Sequence, residues 1–282
     1  MRALAALLLV GCATVRPAVP SLPPACNGEN RFGAMLRAEA EAGARDVVAV
    51  VGSVDEAHQK KIEKILFWRM VRAVILEGEN HNAGVVALRG LTYRDAGGRE
   101  GQVLLFRSGF TPSPDAPGSC FSSLLAGGVR HVVNLFDGDI PVADLVAAER
   151  RVAERAGASY AIAGDEGEGG YGPWRETLRK RYEDVAQRRA ASLAVARLVR
   201  ERILLPDGKP PRGHVHVHCG GGMHRTGMIV GVVEKCVNRE PMEVVEAHYK
   251  RHVGWRSEAH PGGLEEGNLR FLREFDCALL GR

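Results

Sequence analysis

The residues able to do chemistry concentrate between 214 and 227, H-V-H-V-H-C-G-G-G-M-H-R-T-G. Cys219 opens a run of three glycines, Gly220 to Gly222, followed by Met223, His224, Arg225 and Thr226. If Cys219 ends a strand and Arg225 opens a helix, the residues between them form a tight turn. Its backbone N–H groups can face inward, because glycine takes the positive φ angles such a turn needs and lets an anion come close to the main chain. The helix beginning near Thr226 adds its positive end. Arg225 supplies a planar fork for two phosphoryl oxygens. A phosphate cradled by Gly220, Gly221, Gly222, Met223, His224 and Arg225 sits with Cys219 beneath the phosphorus. The same donors favour a thiolate, the form that attacks phosphorus to give a cysteinyl-phosphate. Thr226 is placed to hydrogen-bond the cysteine, and His218 to orient the loop from behind.

A leaving alcohol or phenol needs a proton. The acidic, glycine-rich stretch G-D-E-G-E-G-G-Y-G-P, residues 164 to 173, follows a strand, where the catalytic loops of parallel sheets gather. Asp165 is the first candidate, with Glu166 and Glu168 close behind; Asp137 and Asp139, after the preceding strand, are weaker. His214, His216 and His218 share one strand face, and a His-x-His pair can ligate zinc. A third ligand would have to come from elsewhere and His218 already has a role, so neither metal nor cofactor is expected. Lys180, Arg181, Arg188 and Arg189, like His224, would favour a multiply phosphorylated ligand if they faced the site, but on a helix they read first as a solvated face.

These groups must be positioned by alternating elements. A short strand is expected at Val47–Val51, and a helix with a capping box at Ser53 and Glu56 over Ile62 to Leu76. Strands follow at 85–94 and 102–106 around a glycine-rich turn. Downstream come a short helix at 116–127, a strand at 129–136, a helix at 143–156 and a strand at 159–163. A long helix from Trp174 to Val199, a strand carrying Val215 and Val217, a helix at 226–237 and a packing helix from Leu264 complete the order. The pattern predicts an α/β fold, a central, mostly parallel sheet flanked by helices, behind an N-terminal α+β extension.

The chain start, M-R-A-L-A-A-L-L-L-V-G-C, has a positive residue, a short apolar core and small residues, as targeting signals do. Its L-V-G-C ending resembles the lipobox of bacterial lipoproteins. That implies cleavage before Cys12, lipid on Cys12, and a domain held at the cell envelope facing the periplasm. The expected order is a signal over 1–11, a proline-rich tether over 12–30, the extension over 31–102 and the catalytic domain over 103–282. Cys26, Cys120, Cys236 and Cys277 are an even set that allows up to two disulfides, with the pairing left open. A formal charge of +4 on 282 residues gives no reason to expect nucleic acid as a partner.

The H-C-x5-R-T pattern resembles the signature of the cysteine-based protein tyrosine and dual-specificity phosphatases. The fuller H-C-x-x-G-x-H-R-T-G, matched by His218, Cys219, Gly222, His224, Arg225, Thr226 and Gly227, is similar to that of the atypical dual-specificity phosphatases of plants and fungi. F-R-S-G at 106–109 and G-G-V-R-H-V-V-N-L at 127–135 extend the resemblance over roughly residues 103 to 280, leaving 28 to 102 unmatched. It implies a dual-specificity-phosphatase-like fold, a loop aspartate as acid, and phosphoproteins as substrates. Inositol phosphates and pyrophosphates are the rival substrate class. A phosphate-binding lipoprotein without turnover would have no need of the nucleophile, and arsenate reductase or sulfurtransferase chemistry fits the loop less well.

Overall fold

The structure, a computed structural model, describes residues 20–26, 28, 49, 55–77, 81–95, 97–136, 142–163, 171, 172, 174, 178, 181–253 and 264–281. Its centre is a five-stranded sheet in the order β1-β2-β5-β3-β4. The strands are β1 (Gly84–Arg94), β2 (Glu100–Ser108), β3 (Val129–Asn134), β4 (Ser159–Ile162) and β5 (His214–His218). β2, β5, β3 and β4 run parallel, and β1 closes the edge antiparallel to β2. β5 is thus hydrogen-bonded on both sides, with Ser108 and Asn134 both in register with His218. That register brings the ends of β2 and β3 alongside Cys219.

The helices are α1 (Glu56–Glu77), α2 (Cys120–Ala126), α3 (Ala143–Arg155), α4 (Val185–Leu198), α5 (His224–Cys236), α6 (Met242–Val253) and α7 (Leu264–Glu274). Two apolar clusters cover the two faces of the sheet. Val133, Val215 and Val217 pack with residues of α4 to α7 such as Val195, Met228, Tyr249 and Leu272. On the opposite face Phe106 and Val132 meet Phe121 and Leu124 of α2 and Ala153 of α3. Burial on both faces is what a parallel strand needs, and all five β5 residues are buried.

Among the described residues the cysteines other than Cys219 form two disulfides, Cys26 to Cys120 and Cys236 to Cys277. The first anchors the segment at 20–26 to the start of α2 across 94 residues of chain. Such a closure stabilises a fold by roughly 2–4 kcal/mol, chiefly by restricting the unfolded chain. The second fastens the last helical turn of α5 to the C-terminal 3-10 turn at Cys277–Leu280.

Several expectations shift. α1 starts from Asp55, whose carboxylate accepts the amides of Ala57 (3.1 Å) and His58 (3.2 Å); Ser53 lies outside the described residues. Of the strand expected at 47–51 only Ala49 is described, and it is helical. The long helix from Trp174 is broken at 181–184. There Asp184 takes the Gln187 amide (3.1 Å) to cap α4 afresh, and Arg188 turns back onto the Tyr182 carbonyl (2.8 Å). α6, which the sequence reading passed over, packs against α5. The β1–β2 hairpin also spans the boundary expected at residue 103, so the end of the N-terminal extension belongs to the central sheet.

Candidate active site

Between the end of β5 and the start of α5, the chain turns sharply through Cys219–Met223. Each carbonyl of the glycine run has a donor behind it. Gly220 O accepts the Phe110 amide at 3.0 Å, Gly221 O accepts Asn82 Nδ2 at 3.0 Å, and Gly222 O accepts Arg107 Nη2 at 2.5 Å. In a trans peptide the C=O and the following N–H point opposite ways, and no peptide bond here is cis. Holding these carbonyls outward therefore aims the amides of Gly221, Gly222 and Met223 into the concave side of the loop. The first intrahelical bond of α5 runs from Gly227 N to Met223 O, leaving the amides of the helix's first turn without intrahelical acceptors. Amides of the loop and of the helix start thus gather on one side of the turn, a geometry able to hold an anion.

Two glycines are forced by close approach. Gly222 has φ +65°, and a Cβ there would lie 2.5 Å from the Ser108 carbonyl carbon and 2.6 Å from Gly109 N. At Gly109 an added Cβ would meet Gly220 O at 2.9 Å. The loop and the end of β2 are packed backbone to backbone, so Gly109 of F-R-S-G and Gly222 of the cysteine loop depend on one another.

Cys219 is buried and its thiol is free. Arg225 and Thr226, at the head of α5, are buried with it, while Met223 and His224 are half-buried. Thr226 Oγ1 has no hydrogen-bond partner among the described residues, so the bond expected from it to Cys219 is not made in this structure. Asp165, Glu166 and Glu168, together with Asp137 and Asp139, lie outside the described residues, as do Cys12 and Lys180. Arg188 is occupied with Tyr182 and approaches Glu274 at 3.9 Å, whereas Arg181 and Arg189 are exposed.

Behind the loop lies a buried polar layer that the motif did not announce. His218 and Glu149, both inaccessible to solvent, approach to 3.2 Å without hydrogen-bond alignment. Tyr160 donates to Glu149 Oε2 (2.9 Å), and Asn134 Nδ2 donates to the Tyr160 hydroxyl (3.1 Å). Burial pushes the Glu149 carboxyl up to about 8 and holds His218 well below the usual imidazole range. Both changes favour a neutral pair at pH 7. His216 stacks on His218, meets Ser108 Oγ at 2.8 Å, and is held down at about 3 by burial. His218 thus backs the loop from within a packed layer. Among the described residues no group of three His, Cys, Asp or Glu is gathered for a metal.

Arg107 extends from β2 beneath the loop. Burial pulls its guanidinium down to about 10, opposed chiefly by the neighbouring Glu234 carboxylate, so it remains a cation. Glu234, buried on α5, meets His248 Nδ1 of α6 at 2.7 Å. Arg107, Asn82, Glu149 and Glu234 were not singled out from sequence. Only Arg107 carried a signal, its place in F-R-S-G.

No family model matches the chain, and no curated protein matches it. Among solved structures it is similar to the core catalytic domain of the PP-IP phosphatase SIW14 from S. cerevisiae, in complex with citrate. The TM-score is 0.37 and the identity 18%, over 61% of this chain and 80% of that one. It is similar as well to TpbA from P. aeruginosa, with a TM-score of 0.35 and 15% identity over 62% of this chain and 83% of that one.

The buried layer predicts a pH dependence of stability. His216, His218 and His252, the last held at about 2 by burial and nearby cations, have depressed folded-state pKa values. They contribute stability above the unfolded value of 6.5 that is lost as the pH falls. Glu149, raised from 4.5, acts oppositely, its contribution being lost as pH rises through about 8. Between pH 6 and 5 these three histidines, joined by smaller depressions at His131 and His214, outnumber Glu149 and the raised His248, which act in the opposite direction. Urea unfolding should therefore show stability falling by roughly 2 kcal/mol per pH unit on acidification, and His216→Gln should remove about half of that slope. A slope that is flat, or unchanged in the variant, contradicts the neutral buried layer.

Proposed function

We propose that this chain is a cysteine-dependent phosphatase that hydrolyses phosphomonoesters, of the protein tyrosine or dual-specificity type. The observation that carries the reading is the glycine run whose carbonyls are all held from behind, set between a free, buried Cys219 and the first turn of α5. A phosphoryl group in that concavity meets amides on its equatorial oxygens and the sulfur on its axis. Arg225 adds the planar cationic fork that binds two of those oxygens.

In the first step the Cys219 thiolate forms the S–P bond while the ester P–O bond breaks. The departing oxygen takes a proton from Asp165, the acid proposed for this role. In the second step a water gives its proton to the Asp165 carboxylate and its oxygen to phosphorus, and the S–P bond breaks to return the thiolate. The loop amides and Arg225 neutralise the developing charge in both steps, so no metal ion is required. His218 acts from behind, through packing rather than proton transfer, as its buried neutral environment supports.

The reading extends to the chain start, with cleavage before Cys12 and a lipid on that residue, which places the domain at the bacterial envelope on the periplasmic side. Both disulfides support an oxidising location.

Mature protein incubated with p-nitrophenyl phosphate, phosphopeptides and inositol hexakisphosphate should turn over at least one of them with EDTA present. Cys219→Ser should abolish that turnover; activity surviving the substitution, or vanishing with EDTA, overturns the mechanism. Asp165→Asn should slow poor leaving groups on the order of 100-fold and p-nitrophenyl phosphate less. Equal losses on both would remove Asp165 from its role. In bacterial cells expressing the full chain, labelled palmitate should appear on the protein and disappear with Cys12→Ala; label that persists in that variant refutes the anchor.

A further inference from the structure

Asn82 lies in the stretch before β1, outside everything the sequence motif covers, yet it is fully buried against the loop. Its backbone has φ +45°, in the left-handed region that side-chain-bearing residues seldom occupy and asparagine tolerates best. Its side chain makes three contacts. Nδ2 donates to Gly221 O at 3.0 Å and to His252 O at 2.8 Å, and Oδ1 faces His252 Nδ1 at 2.8 Å. His252 is neutral, so one ring nitrogen carries a proton, and on Nδ1 that proton is donated to Asn82 Oδ1. Both amide hydrogens and the amide oxygen are thus committed. The preceding residue joins in, since His81 O accepts the Gly109 amide at 2.7 Å.

We propose that Asn82 is a positioning residue for the phosphate-binding loop, tying the Gly221 carbonyl to the end of α6 so that the Gly222 amide faces the phosphoryl group. The proposal rests on the phosphatase reading above. The peptide joining Gly221 and Gly222 needs such a tie. It has glycine on both sides, so its rotation meets little steric resistance. Rotated, it would turn a carbonyl oxygen toward the phosphate and an amide away from it. The neighbouring peptides are secured otherwise, Gly220 O by the Phe110 amide and Gly222 O by Arg107. Asn82 also explains the use of a left-handed conformation just before β1: this geometry brings a side-chain amide between the last turn of α6 and the loop. The segment ahead of β1 is thereby part of the active site.

Two variants of the full mature chain test this. Asn82→Gly accepts the positive φ and deletes the tie. Asn82→Asp keeps the shape and the left-handed tolerance but presents an acceptor oxygen to the Gly221 carbonyl. Turnover of p-nitrophenyl phosphate and calorimetric binding of inorganic phosphate are measured beside thermal unfolding followed by circular dichroism. Expected is a fall in kcat on the order of 10- to 100-fold and a phosphate affinity at least about tenfold weaker in both variants, with Asn82→Gly folded as fully as the wild type. Activity and phosphate affinity within about twofold of wild type in both, or losses that merely track the unfolded fraction, overturn the proposal. If the wild type binds phosphate but turns over no phosphomonoester, the proposed activity fails and binding alone decides. Weaker phosphate binding by both variants then upholds the positioning role, and unchanged binding overturns it. A wild type that binds no phosphate overturns both.

Discussion

The site depends on the direction in which three consecutive carbonyls point. A loop of glycines has no intrinsic reason to keep its amides on one side, because its residues reach most of φ/ψ space at little cost. Here direction is imposed from outside, by a backbone amide at the end of β2, an asparagine ahead of β1 and an arginine within β2. The donors come from segments distant in sequence, so the loop's geometry is a product of the whole sheet rather than of the motif. Each bond is modest, on the order of 1 kcal/mol net, and more where the donor is charged. Their effect is directional, replacing a floppy turn by a preorganised one.

The same sheet explains why the loop can be both polar and buried. β5 is flanked by parallel neighbours and covered on both faces, so its three histidines cannot be solvated. They are held neutral and packed against aromatic rings: His214 against Tyr93 and Phe106, His216 against Phe121, His218 against Phe110. The alternating pattern that resembles a metal site is a buried layer of neutral imidazoles backed by Glu149 and Tyr160. A buried, unpaired charge at this depth would be costly, and the neutral Glu149–His218 pair avoids it. Arg107 differs from these imidazoles, a buried cation with Glu234 beside it.

Much of this was legible in the chain. The spacing Cys219 to Arg225, the glycines between them and the apolar strand ahead of them specified strand, loop and helix, because each feature rests on local geometry. The alternation of strands and helices foretold a mostly parallel sheet. What stayed hidden was long-range. Nothing local marks Asn82 as a partner of Gly221, 139 residues away, or Glu149 as the neighbour of His218. The break before α4 was missed because the apolar spacing of Trp174, Leu178 and Tyr182 continues through it, while the Asp184 cap is a single polar residue. The cysteine count allowed two disulfides but not their partners, since pairing is decided by proximity in the fold.

The central claim concerns an oxyanion surrounded by inward amides above one sulfur, and a crystal structure of the protein with bound tungstate tests it most directly. The account predicts tungsten on the axis of Cys219 Sγ, with its oxygens held by amides of residues 220–225 and by the Arg225 guanidinium. Tungstate bound elsewhere, or a loop whose Gly221 and Gly222 carbonyls face the anion, would contradict it.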